Sequence, residues 1–217
     1  MDVTIWLHTF VSSWSQIKIS VMTNKRDREL SEEKLIDAVG ELIQETGFEK
    51  LGINQVAQRA GFSKNLIYRY FESLDGLVYA YMKKHDFWLN AAMEQPDISD
   101  ARSYLKAFYR RQILEYRGNV VVKRLRRWEL STDKDFVIEI RAQREKNGVR
   151  FLEMMSGFSR IDKRQIQAVS TLIDAGIAYL AILEEHCRMY NGIDIQSDGG
   201  WQQITEGIDA LVDILVK

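Results

Sequence analysis

Lys64, Asn65, Tyr68 and Arg69 fall within six residues of one another in the stretch "AGFSKNLIYRYF", residues 60–71. If this stretch is helical, the four share a side, while Ile67 and Phe71 turn the other way. Lysine and arginine donate to phosphate oxygens; asparagine, tyrosine and arginine also reach base edges. The chemistry on offer is therefore hydrogen bonding to a polyanion rather than bond breaking. The alternative is a solvated face of routine surface residues.

Positioning these side chains requires a short helix held at a fixed angle. Ile53 to Ala60 reads as one helix and Ser63 to Phe71 as a second, with Gly61 at the break and Ser63 placed to cap the second. Two short helices around a tight turn have helix-turn-helix geometry. Ala57 is small where the helices would cross, and Val56, Ile67 and Phe71 would fill the core behind them. A preceding helix is expected from Ser31 as cap, with Leu35, Ile36, Val39, Leu42 and Ile43 as its apolar stripe and Gly47 as its stop. A longer helix should follow from Asp75 to Met93, ending before Pro96, the only proline.

Composition supports a folded all-α chain. Of 217 residues, 46% are hydrophobic and 28% charged, a globular balance. Further helices are expected after residue 97, with breaks near Gly118, Thr132 to Lys134, Gly157 to Asp162 and Gly192 to Gly200. "NVVVK" at 119–123 is the one strand-like run, too isolated to build a sheet. Net charge is −1, and residues 22–87 hold ten Lys or Arg against eleven Asp or Glu. Affinity for nucleic acid would have to be local.

Other chemistries are poorly supplied. His8, His85 and His186 are scattered, the one cysteine is Cys187, and no phosphate-cradling glycine loop occurs. No metal, cofactor or catalytic residue is expected. A lone cysteine suits a reducing compartment. Residues 1–21 are apolar, but Asp2 and interrupting Ser and Thr residues fit neither a secretory signal nor a membrane span. The segment is expected to be an extension, disordered or the product of an early start, with Met22 the natural beginning.

The stretch "GFEKLGINQVAQRAGFSKNLIYRYFESLDGLVYAY", residues 47–81, resembles the DNA-binding domain of TetR-type (TetR/AcrR family) transcriptional regulators. Gly47, Val56-Ala57, Ala60-Gly61-Phe62-Ser63, Ile67-Tyr68, Tyr70-Phe71 and Leu77 stand in the family's register. Two positions depart from it: Gly52 stands where the family carries a capping threonine or serine, and Leu74 where a lysine is common. The resemblance implies an extension at 1–28, a three-helix DNA-binding domain at 29–89 with its motif at about 52–71, and a helical-bundle domain for ligand binding and dimerisation at 97–217. It implies that Lys64, Asn65, Tyr68, Arg69 and Tyr70 lie in or beside the major groove, and that Asn54 and Ser63 meet phosphate. Arg28, just before the first helix, would act as part of a basic arm. Tyr70 fits core or groove.

In the second domain, Ile173, Ile177 and Leu180 in one helix and Ile208, Leu211 and Leu215 in the last make apolar stripes. They suit a four-helix interface between two subunits, with the monomer's own core as the alternative. Phe108, Trp128, Glu129, Phe151 and Met155 are candidates to line a pocket for an unknown small-molecule effector, though plain core positions have the same spacing. Residues 101–130 carry nine Lys or Arg against two acids, read as a solvated face with an anionic ligand or DNA as alternatives. The expected function is a cytoplasmic, ligand-responsive homodimeric repressor on a palindromic double-stranded operator, with no membrane attachment and no enzymatic activity. The competing reading is an all-α ligand carrier or enzyme.

Overall fold

The computed structural model describes residues 26–86, 89–90 and 100–216. Residues 1–25 of the extension expected at 1–28, and the boundary at Pro96, lie outside them. The polypeptide is all-α apart from one short hairpin. Helix α1 is already formed at residue 26 and runs to 46. Ser31 therefore sits inside a helix rather than capping it, and its hydroxyl donates back to the Asp27 carbonyl at 2.7 Å. Arg26 to Arg28 are likewise helical, and the Arg28–Glu32 pair at 2.6 Å spans one turn of α1. No glycine or proline there favours the extended arm expected of these residues. Gly47, at φ 83°, ends α1 as anticipated.

A 3-10 turn, Phe48–Lys50, leads into α2 (Ile53–Ala60), α3 (Lys64–Phe71) and α4 (Leu74–His85). Helix α4 stops earlier than proline punctuation suggested: Asp86 takes extended angles, φ −76° and ψ 121°. Helix α5 (Ala101–Gly118) starts at Asp100, whose carboxylate accepts from the N–H groups of Arg102 and Ser103, each at 3.1 Å. Helix α6 (Val120–Glu129) contains the strand-like valines. Asn119 caps it by accepting from Val121 and Val122, and that local cap outweighs β-branched propensity. Helices α7 (Asp135–Ser156), α8 (Lys163–Leu183) and α9 (Asp198–Leu215) complete the bundle. Between α8 and α9, β1 (Met189–Tyr190) and β2 (Ile193–Asp194) pair antiparallel. Asn191 and Gly192 turn them at φ 48° and 82°, the two positive angles a two-residue hairpin needs.

Two hydrophobic cores form. The first gathers Leu35, Val39, Ile43, Val56, Ile67, Leu77 and Met82 from α1–α4, and it extends past residue 89 to Val121 and Leu125 of α6 and Ile140 of α7. The second joins α5, α8 and α9 to the far half of α7 through Phe151 and Met155. At 1.5 Å per residue, α7 is about 33 Å long, enough to serve both cores.

Candidate nucleic-acid interface and internal cavity

The connection between α2 and α3 fixes the exposed residues of the motif. Gly61 adopts φ 73°, and the Phe62 N–H reaches back to the Ala57 carbonyl at 2.9 Å, closing α2 with a left-handed cap. Val56, Ala57 and Ile67 are buried at the crossing. With Ile67 fully buried, helical period puts Lys64, Asn65, Tyr68 and Arg69 on the opposite side, where all four are exposed. Tyr68 retains 51% of its surface. Ser63 occupies the N-cap of α3, but its hydroxyl makes no capping bond. Its side chain, expected as a cap, is instead exposed.

Among the described residues, neither Lys64 nor Arg69 makes an ion pair. Other cations of this region are engaged: Arg59 binds Glu45 at 2.7 Å and Glu41 at 3.2 Å, tying α2 to α1. Arg28 lies over the Tyr70 ring at 5.0 Å, and Arg69 approaches the same ring at 5.9 Å. Tyr70 is half-buried, its edge against Phe71. Asn54 is exposed in the first turn of α2. Gly52, which cannot cap through a side chain, is served by Gln55, whose carbonyl accepts the Gly52 N–H at 3.2 Å. Leu74 packs partly into the first core.

One site residue had escaped the sequence reading. A Cβ on Gly76 would lie 2.0 Å from the Phe71 carbonyl oxygen. The first turn of α4 thus rests on the end of α3, and Ser73 caps it by accepting the Gly76 N–H at 3.0 Å. The dipeptide Asp75-Gly76, just ahead of the apolar run Leu77 to Met82, is the available signal.

Beyond the motif, a cavity of about 1200 Å³ opens among α5–α8. Phe108, Glu129 and Phe151 line it, as expected. Trp128 does not: it stacks on Phe48 at 4.7 Å, drawn into the first core by the turn after α1. Met155 is also displaced from the expected lining, because it is 1% exposed within the second core. Arg126, Arg141 and Arg144 reach the cavity wall beside Glu129. Arg144 grips both Glu129 oxygens, at 2.7 and 2.8 Å, and its Nε donates to Asp86 at 2.8 Å. Burial opposes charge on Arg144, but the hydrogen bonds it donates to Glu129 and Asp86 outweigh it and raise its pKa. Tyr109 also lines the cavity, its hydroxyl pushed up by burial.

The basic run at 101–130 is not a free solvated face. Lys106 pairs with Asp213 at 2.7 Å, Arg117 with Asp198 at 2.8 Å, and Arg127 with Glu185 at 3.1 Å. Arg124 donates to the carbonyls of Ile43 and Gln44 at 2.8 and 2.9 Å, capping the negative end of α1. Of the stripe residues, Ile173, Ile177 and Ile208 are buried within the chain's own second core. Leu180 and Leu215 are half-buried, and Leu211 is exposed. Periodicity finds apolar faces without saying which protein atoms cover them.

Comparison with known proteins agrees with this architecture. Residues 35–81 match the family described as bacterial regulatory proteins, tetR family. The HTH-type transcriptional regulator BetI of Burkholderia thailandensis is 37% identical over 83 residues, 37% of this chain and 43% of that protein. The match therefore spans less than half of the curated relative. A TetR transcription regulator from Haloarcula marismortui shares the fold with a TM-score of 0.68 at 14% identity, over 86% of this chain and 98% of that one. NalD, the secondary repressor of the MexAB-OprM multidrug efflux pump in Pseudomonas aeruginosa, gives 0.61 at 16% identity, over 88% and 98%. FadR from Bacillus subtilis, solved with stearoyl-CoA, gives 0.59 at 15% identity, over 83% and 96%.

Proposed function

We propose that the chain, whose residues 35–81 match the tetR family, is a ligand-responsive repressor that binds a palindromic operator as a homodimer. The observation that carries this reading is the outward face of α3. Lys64, Asn65, Tyr68 and Arg69 stand exposed on a helix whose other side is locked by fully buried Ile67. A recognition helix so anchored presents its donors to the major groove, while Ser63 and Asn54 meet phosphate. Arg28 works through Tyr70, holding that ring beside the recognition helix rather than reaching out as an arm.

Dimerisation is supported by apolar surface on α8 and α9. Helix α8 has a mean hydropathy of 1.7 over an 18-residue window, of which only 17% is buried. Leu172 and Tyr179 are exposed on α8, and Leu211 and Ile214 on α9, with the small residues Ala168, Ala175, Gly207 and Ala210 exposed beside them. Small residues let a second pair of helices approach closely, and a two-fold axis would repeat the contact. Leu180 and Leu215 sit at its edge. Length and composition alone would let α8 cross a membrane, but it lines the cavity and packs on the second core, so a second subunit is the better cover.

The cavity is the effector site in this reading, and the site of action is cytoplasmic DNA. Selection of bound sequences from a random duplex pool tests the proposal. Enrichment of an inverted repeat with half-sites about one helical turn apart is expected; recovery of unselected sequence would leave a ligand carrier as the better reading.

A further inference from the structure

The cavity has one charged end, and that end is wired to α4. Arg126, Arg141 and Arg144 converge there on one residue, Glu129. Arg144 holds Glu129 with two hydrogen bonds, Arg126 donates to it at 3.3 Å, and Arg141 donates to the Glu129 backbone carbonyl. Glu129 is 3% exposed. A guanidinium has five N–H donors, and Arg126 and Arg141 each give one to Glu129. The other acids on the wall do not balance this end: Glu145 is exposed, and Asp174 takes a hydrogen bond from Gln112 of α5. Most of the remaining wall is apolar, with Phe108 and Phe151 stacked at 4.7 Å and Val149, Leu152 and Ile182 around them, while α8 adds Gln167, Ser170, Thr171 and Asp174.

Arg144 also holds Asp86, the residue that ends α4. Asp86 is 5% exposed. Helices α4 and α7 are joined at two further points, Asp75–Lys134 at 2.6 Å and Tyr79–Glu139, both exposed. The Asp86–Arg144 bond is the buried member of this series and the one whose arginine lines the cavity.

We propose that the cavity takes an amphiphilic organic anion, whose acid group is met by Arg126 and Arg141 and competes with Asp86 for Arg144, so that occupancy releases the end of α4. This rests on the cavity being the effector site. A carboxylate or phosphate matches the planar donor fork of arginine, and charge-assisted bonds in a dry site discriminate strongly against uncharged analogues. A ligand shifts α4 only through differential affinity for its two states. The bond to Asp86 supplies that difference, because it cannot be fully kept while Arg144 serves a new anion.

Binding to the full-length protein is measured without DNA, so the outcome is independent of operator recognition. The probes are dodecanoate, dodecyl phosphate, dodecanol and dodecylammonium, each below its aggregation concentration. Either acid should bind at least tenfold more tightly than the alcohol or the ammonium, and the better acid identifies the head group. Arg141→Leu and Arg126→Leu should each weaken the acids about tenfold while leaving the alcohol unchanged. Asp86→Asn should tighten the acids severalfold, a change opposite to that of general structural damage. Amide exchange over residues 78–86 should accelerate when the wild-type protein is saturated with acid. Equal binding of alcohol and acid, preference for the ammonium, or no tightening in a folded Asp86→Asn protein would overturn the proposal. If that variant does not fold, unchanged exchange at 78–86 in the acid-saturated wild type overturns it.

Discussion

Gly76 lies so close to Phe71 that a methyl group on it would fall 2.0 Å from the Phe71 carbonyl oxygen. The contact is between backbones at the junction of α3 and α4, so no rotamer change relieves it. Just before it, Glu72 is held at φ 65° to let the chain reverse. Gly76→Ala should lower stability by about 1–3 kcal/mol, the range for forcing an extra methyl into packed structure. Gly61→Asn is the control: its φ of 73° needs a tolerant residue, but a Cβ there would meet nothing within 4 Å. Chemical denaturation of both variants should find Gly61→Asn the milder.

Glu184 holds together three elements of the second core. It accepts from Lys123 at 2.6 Å, Arg117 at 3.1 Å and the Trp201 indole at 2.9 Å. Lys123 is only 7% exposed, so Glu184→Ala would strand its charge. A loss of about 3–5 kcal/mol is expected. Adding Lys123→Met should recover a substantial part, since Arg117 keeps Asp198 and the buried charge is gone. A double-mutant cycle in urea measures this; additive losses would show that the pair is not coupled.

His85 gives the fold a pH dependence with a definite sign. Its ring packs on Tyr81 at 4.7 Å, and partial burial of this otherwise exposed side chain, with Lys84 nearby, holds its pKa below the ordinary histidine value, although Asp37 and Glu115 pull the other way. The folded state therefore binds its proton less readily than the unfolded chain. The contribution of the neutral ring is present above the unfolded pKa of about 6.5, begins to fall as pH drops below that value, and is gone once pH has passed the lower folded pKa. Unfolding curves between pH 7.5 and 5 should show a steeper loss of stability in the wild type than in His85→Phe. Parallel profiles would remove His85 as the cause.

The motif was legible because its signals are local. The turn at Gly61, the stop at Gly47 and the inward Val56 and Ile67 all follow from backbone preference and period, and each is where those rules put it. The second domain was less legible because its partners are distant in sequence. Lys106 finds Asp213 and Arg117 finds Glu184, pairings no helical period encodes. Trp128 was read as pocket-lining because an aromatic next to Glu129 could face either way; Phe48, eighty residues earlier, decided it. The Asn191-Gly192 turn was visible but was read only as a break, since two-residue strands are too short for alternation to register.

Recognition by α3 predicts a specific pattern of losses. Tyr68→Ala and Lys64→Ala should each weaken operator binding by about 1–3 kcal/mol without altering the melting temperature, since both side chains are exposed. Lys64→Ala should also flatten the salt dependence of binding if its ammonium meets phosphate. Ile67→Ala, by contrast, should damage folding first, because Ile67 is fully buried. Fluorescence anisotropy on a selected operator at several salt concentrations separates these effects, and undiminished binding by both surface variants would displace α3 from the groove.

The exposed face of α8 and α9 makes the last prediction. Leu172 is 73% exposed and Ile214 65%, so replacing either with arginine should leave the monomer folded. If two subunits meet there, the same change buries an unpaired charge twice across the symmetry axis, once from each copy. Leu172→Arg and Ile214→Arg should therefore shift the protein from dimer to monomer at micromolar concentration in sedimentation velocity, with helical content unchanged. They should also weaken operator binding more than either half-site contact does alone, because one recognition helix loses the effective concentration supplied by the other. Ile177→Arg is the contrasting case: its side chain is 1% exposed within the second core, so it should unfold the domain rather than divide the dimer. A folded dimer in both surface variants would place the subunit contact elsewhere on the chain.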